Sequence, residues 1–290
     1  MSIPADAYCL RCYVNKYIPL AHRLGDMSTA DAFAKALVQL YLELPPEGNS
    51  CILAQKTTEL LQKFYNLDPD RYRAEKEAAN AFVLARMDSI REKVFSAPDP
   101  VLAGLQAAIL GNYLDFSALG SSVSFDDLDA MLDKAFEMEL DPQTYARFRR
   151  ELDGAKKLLY LTDNAGEIGF DRIFAEQIAK KYPHLEITFC VRGDIAQNDA
   201  TVEDAKTVGI PFPVIGNGNR IPGTQIDLLS REAKQALEEA DVILAKGMAN
   251  CETMLGCGYN IYYVFLVKCQ RFVRQFGQPM FTPMIVKERT

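Results

Sequence analysis

The chain has 290 residues, 49% hydrophobic and 24% charged; this ordinary globular make-up excludes a disordered tract, a collagen repeat, a small disulfide scaffold and a coiled coil. Its formal charge of −7 argues against nucleic acid or an anionic membrane as the general partner, while leaving room for a local basic pocket. With only His22 and His184 available, a histidine-rich metal centre is excluded, and catalysis is expected to run on carboxylates, lysines or an oxygen-bound metal.

No run of about 18 uninterrupted apolar residues exists, so no membrane-spanning helix is expected. The opening residues lack a basic stretch followed by an apolar one, which predicts no secretion signal. Seven cysteines, an odd number, then favour reduced thiols and a cytoplasmic location.

In chain order, the first half reads as helices over Ala30–Glu43, Cys51–Tyr65, Arg71–Ala97 and Pro100–Gly111. Apolar residues recur there at three- and four-residue intervals, as in Phe33, Leu37, Leu40 and Tyr41. Pro45-Pro46, Asp68-Pro69 and Pro98-Asp99-Pro100 punctuate them. A further helix is predicted over Phe125–Met138, with Ser124 as its N-cap and Asp126-Asp127 at its positive end.

The character changes near Asp153-Gly154. Strands are predicted at Lys157–Thr162, Glu186–Val191, Phe212–Ile215, Asp241–Ala245 and Ile261–Lys268, and helices at Phe170–Lys181, Val202–Val208 and Ser230–Glu239. Continuous apolar strands separated by helices predict a mostly parallel sheet. The expected fold class is therefore α/β, with an N-terminal helical domain (1–153) capping a doubly wound, Rossmann-like three-layer sandwich (154–290).

In such sheets ligands sit beyond the carboxyl ends of the strands. That rule selects four loops: Asp163-Asn164-Ala165-Gly166-Glu167, Arg192 through Asp199, Gly216 through Asn219, and Lys246-Gly247. Asp163 and Asn164 offer hard oxygen ligands, and Gly166 permits close backbone approach to an anion at a helix start. Asn164 reads equally as an N-cap, with Glu167 completing a capping-box-like pair. Asp199 reads as a third oxygen ligand or as a cap, and Arg192 as a charge balance or an anion contact. Lys246 reads as a phosphate donor or as a lysine snorkelling to solvent. Pro222-Gly223-Thr224 offers a hydroxyl and amides, or an ordinary turn. Cys9 and Cys12 read as a redox pair, half a zinc site or ordinary packing; Cys51 and Cys190 read as buried apolar residues.

Asp163-Asn164-Ala165-Gly166-Glu167, Asn198-Asp199-Ala200-Thr201-Val202-Glu203-Asp204-Ala205 and Lys246-Gly247-Met248-Ala249-Asn250-Cys251-Glu252 together resemble three signature blocks of the damage-control phosphatases, once called domain of unknown function eighty-nine. Gly111-Asn112-Tyr113-Leu114-Asp115, Pro222-Gly223-Thr224 and Lys268-Cys269 resemble further blocks, in the family's order along nearly the whole chain. Cys9-Leu10-Arg11-Cys12 with Lys268-Cys269 looks like the stand-alone microbial branch. Met248, Ala249 and Cys251 depart from the family's more usual residues, which bears on substrate fit.

The resemblance implies a metal-dependent phosphatase acting on small phosphate monoesters, such as sugar phosphates or damaged phosphometabolites. Asp163, Asn164 and Asp199 match the metal ligands for one divalent cation (Mg²⁺, Mn²⁺, Co²⁺ or Ni²⁺), and Lys246 matches a lysine at the phosphate end. Glu167 or Asp171 is expected to orient water or support the ligands, with Asp163, Lys246 and Glu167 as the catalytic set. Asn112, Asp115, Gly166, Arg192, Thr224, Lys246, Asn250 and Glu252 are the expected substrate contacts. Two other readings fit the same sheet. One is a methyltransferase using S-adenosylmethionine, which would bind that cofactor without a metal; the other is a non-catalytic module that binds a phosphometabolite without releasing phosphate.

Overall fold

The computed structural model describes residues 2–113 and 128–288. Its sheet forms where the sequence carries unbroken apolar runs: β1 (Lys157–Leu161), β2 (Glu186–Val191), β3 (Val214–Gly216), β4 (Val242–Lys246) and β5 (Ile261–Leu266), with β6 (Pro283–Lys287) at one edge. The spatial order is β3-β2-β1-β4-β5-β6. The first five strands pair in parallel and β6 pairs antiparallel with β5. This is the doubly wound α/β fold expected from the sequence, plus an antiparallel edge strand that was not.

Strand alternation divides the sheet into two apolar faces. Leu158, Tyr160, Val242, Leu244, Tyr262 and Val264 join one core cluster, while Leu159, Leu161, Ile243, Ala245, Tyr263 and Phe265 join another. Both faces are covered, so β4 and β5 are buried at every position. Helices α9 (Glu167–Lys181), α10 (Val202–Thr207), α11 (Arg231–Glu239), α12 (Gly247–Met254) and α13 (Gln270–Phe276) belong to this part of the chain.

The helical half supplies α1 (Ala7–Leu24), α2 (Met27–Leu42), α3 (Ser50–Tyr65), α4 (Arg73–Leu84), α5 (Met87–Ser96), α6 (Pro100–Tyr113), α7 (Leu128–Phe136) and α8 (Pro142–Gly154). Asp26 and Asn49 cap α2 and α3 through their side chains. Around Phe33, Tyr17, Leu37 and Leu61 close a core of their own between α1, α2 and α3. Val101, Leu105, Ala108 and Ile109 of α6 and Phe148 and Leu152 of α8 instead share the sheet's core. The expected single helix Arg71–Ala97 is two, parted at Ala85-Arg86, where no proline or glycine marks the break. Ser124, Asp126 and Asp127, expected at the start of the α7 helix, lie outside the described residues. No helix among the described residues is long and apolar enough to cross a membrane.

Candidate active site

β1 and β4 are the adjacent strands at which the order reverses, so the turns after them lie at the position where sheets of this kind bind ligands. The β1 turn is locked to the loop after β2. Asn164 forms a single antiparallel bridge with Asp199, the Ala165 amide donates to Asn198 O at 2.9 Å, and the Ala200 amide donates to Asp163 O at 2.8 Å. Asp163, Asn164 and Asp199 are thereby brought together, and all three are buried.

The capping alternatives do not hold. Gly166 occupies the N-cap of α9 and makes no side-chain cap bond, while the Asn164 amide donates to Asp163 Oδ2 and Glu167 Oε2, each at 2.9 Å. Thr201, not Asp199, caps α10, in a capping box with Asp204. Several amides at the start of α9 are already engaged: that of Gly166 donates to Asn80 Oδ1 at 2.7 Å, and those of Ala165, Ile168 and Gly169 meet backbone oxygens. Gly166 is needed for its backbone, at φ 76°, and a Cβ there would meet Ala79 Cβ at 2.8 Å.

Asn112, at the end of α6, reaches the same oxygens, donating to Asp163 Oδ2 and Glu167 Oε2 at 3.0 Å each. Gly111 allows this approach, because a Cβ there would lie 3.0 Å from Phe170 and 3.3 Å from the Glu167 Cα. The Lys268 ammonium donates to Asn112 O. Asp115, in the same block, lies outside the described residues.

Lys246 closes the interior. Its fully buried ammonium donates to Ala108 O at 2.9 Å, Glu167 Oε1 at 2.6 Å and Asp171 Oδ1 at 2.7 Å. Three donors meet three protein acceptors, so a phosphate contact would have to displace one of them. Burial disfavours the ammonium, but Asp171 and Glu167 outweigh it and raise its pKa. Asp171, which also accepts from Tyr160 at 2.8 Å, is pushed up to about 6 by burial, against the pull of Lys246.

Arg192 is 1% exposed. Its Nε donates to Asp199 Oδ2 at 2.6 Å and its Nη2 to Thr162 O at 3.2 Å, leaving Nη1 buried with no partner among the described residues. Asn250 donates to Thr162 O and Lys246 O and accepts from Thr224 at 2.8 Å, which ties the loops together from within. Glu252 points elsewhere: Ser50 donates to it through backbone and hydroxyl, and Arg271 pairs with it. The Gly216–Asn219 loop props the β2 loop, with the Gly193 amide donating to Asn217 Oδ1 at 2.8 Å.

Among the described residues no group of three or more His, Cys, Asp or Glu side chains is arranged to hold a metal ion, and the triad contains only two residues of those types. Its donors are all oxygens, which suit a hard divalent cation. The local charge suits one too: burial, then Glu167 and Asp199, push the Asp163 carboxyl well above the usual carboxylate range, against Arg192 and Lys268. Gly247, at φ 77°, presses on this carboxylate so closely that a Cβ would fall 2.0 Å from Asp163 Oδ2. All seven cysteines are free; Cys9 is buried and Cys12 exposed, and the absence of a metal-holding cluster among the described residues leaves no four-cysteine zinc site there.

Asn80, Asn198, Lys268 and Arg271 were not among the expected site residues. Sequence offered a signal only for Asn198 and Lys268, which sit inside motif blocks.

Residues 5–282 match the family described as the damage-control phosphatase ARMT1-like domain. A damage-control phosphatase of Pyrococcus horikoshii is 32% identical over 93% of this chain and 93% of its own. One from Archaeoglobus fulgidus is 31% identical over 85% and 84%, and an uncharacterized protein of Methanocaldococcus jannaschii is 32% identical over 95% and 93%. The crystal structure of a DUF89 family protein from Pyrococcus horikoshii superposes with a TM-score of 0.83 at 27% identity, covering 99% of this chain and 100% of that one.

Proposed function

Because the chain belongs to the ARMT1-like damage-control phosphatase family, we propose that it is a metal-dependent phosphatase hydrolysing small phosphate monoesters, such as sugar phosphates or damaged phosphometabolites. The observation that carries this reading is the bridge between Asn164 and Asp199, which brings Asp163, Asn164 and Asp199 into one oxygen-rich cluster at the strand-order reversal. These three residues would hold one divalent cation, Mg²⁺, Mn²⁺, Co²⁺ or Ni²⁺. When bound, such an ion supplies Lewis-acid polarisation of a phosphoryl oxygen and neutralises developing charge.

The chain's own groups divide the remaining work. Arg192 holds Asp199 and keeps Nη1 as a donor for a phosphoryl oxygen. Glu167 is held on both carboxylate oxygens, by Lys246 on one side and by Asn112 and Asn164 on the other. It is thus oriented to fix the geometry of Asp163 and of an attacking water. Asn112 brings the helical half to the phosphate end, where the leaving group is chosen.

The test is phosphate release from an aryl phosphate after chelation, with Mg²⁺, Mn²⁺, Co²⁺ or Ni²⁺ added back singly. Turnover restored by at least one ion supports the reading. Tight binding of a phosphate ester without release of phosphate would assign the binding-module reading instead. The methyltransferase reading has no support from the family or from the β1 turn, whose single glycine is Gly166.

A further inference from the structure

We propose that Asn80 is a positioning residue for this reaction, a strut that sets the spacing of the two loops carrying Asp163, Asn164 and Asp199. The inference rests on the phosphatase reading above. Asn80 lies on α4, in the helical half, and is 2% exposed. Its Oδ1 accepts from the Gly166 amide at 2.7 Å, two residues after Asn164. Its Nδ2 donates to Asp204 Oδ1 at 2.8 Å. The other Asp204 oxygen accepts from the Thr201 amide at 2.8 Å and the Thr201 hydroxyl at 2.7 Å, two residues after Asp199, and pairs with Lys76 at 2.7 Å.

One primary amide therefore has one end on the β1 turn and the other on Asp204 of α10, which holds Thr201 at the end of the β2 loop. Its donor and acceptor are both used, and no other neutral side chain of that size offers this pair. The two loops already touch through their backbones on the Asp163–Ala200 side; Asn80 fixes them from α4, so their relative tilt is set by the helical half. Residues that orient ligands from behind usually change metal affinity or activity by about 10- to 100-fold when removed.

The experiment is a calorimetric titration of chelated, purified protein with Mn²⁺, alongside kcat and KM on an aryl phosphate. Asn80→Ala is expected to weaken Mn²⁺ binding by about 10- to 100-fold and to lower kcat more than it raises KM. A core substitution remote from the loops, Leu37→Ala on α2, is the comparison for simple loss of stability and is expected to bind Mn²⁺ as the wild type does. Asn80→Asp keeps the size and the Gly166 contact but sets a carboxylate against Asp204, so it too is expected to lose affinity. Asn80→Asp combined with Asp204→Asn restores a carboxylate–amide pair of reversed polarity and should recover it. If Asn80→Ala does not fold, the Asn80→Asp pair decides alone. Wild-type Mn²⁺ affinity in folded Asn80→Ala or Asn80→Asp would overturn the positioning role while leaving the phosphatase reading intact. A wild-type protein that neither binds Mn²⁺ nor releases phosphate with any ion would overturn that reading and the positioning role with it.

Discussion

Lys246 Nζ lies 2.6 Å from Glu167 Oε1, and neither side chain has any solvent exposure. A lysine at the end of a buried strand was expected to reach a phosphate or to snorkel outward; its ammonium instead turns inward, with its three donors on protein acceptors. Ala108 O on α6 closes over its third donor, so the ammonium is the internal counter-charge for Glu167 and Asp171. The site is thus built on a sealed ionic interior that holds one carboxylate still beside Asp163 and Asn164.

Replacing that lysine should be costly. Lys246→Met leaves two buried carboxylates facing each other, and removal of one partner from a buried pair costs about 3–5 kcal/mol. Urea denaturation measures this; adding Asp171→Asn should recover part of the loss by removing one charge. A loss under about 1 kcal/mol would show that the network is not buried as described.

Gly247 separates backbone strain from site geometry. Gly247 and Gly258 both have positive φ, but a Cβ at Gly258 meets nothing within 4 Å while one at Gly247 strikes the Asp163 carboxylate. Alanine at either position carries a conformational cost on the order of 1–3 kcal/mol. Phosphate release should be lost only in Gly247→Ala. Equal activity in the two variants would contradict the confinement of Asp163.

Asp204 should make an acid-sensitive contribution. Burial raises its pKa, but hydrogen bonds and charge from Lys76 and Thr201 outweigh this and hold it below the usual range. A carboxylate depressed in the folded state stabilises fully above its unfolded value of about 3.9 and loses that contribution as the pH falls through the folded value. Asp204→Asn should therefore cost about 3 kcal/mol at pH 7, with the gap to wild type narrowing below about pH 4. Urea midpoints across pH 3–7 check this; a gap independent of pH would remove Asp204 from the account.

The central strands were legible because both of their faces are covered, which forces an unbroken apolar run such as Ile261–Leu266. β6 was not: it starts with Pro283, only Ile285 is fully buried, and a half-exposed edge strand carries no such run. The gathering of Asp163, Asn164 and Asp199 followed from the rule placing ligands at strand ends. The links of Asn80 to Gly166, 86 residues away, and of Glu252 to Ser50, 202 residues away, have no local signature. A polar side chain on an amphipathic helix reads as solvated until tertiary packing buries it. The break at Ala85-Arg86 carries no punctuating residue for the same reason: packing, not propensity, ends α4.

The most direct test of the account is the number of Mn²⁺ ions bound per chain at equilibrium, measured on wild type, Asp163→Ala and Asp199→Ala, with circular dichroism on the same samples to confirm folding. One ion in the wild type, and none at the same free Mn²⁺ in either folded variant, is the predicted result. Folded variants that bind Mn²⁺ as the wild type does would contradict the proposal that Asp163 and Asp199 hold the metal.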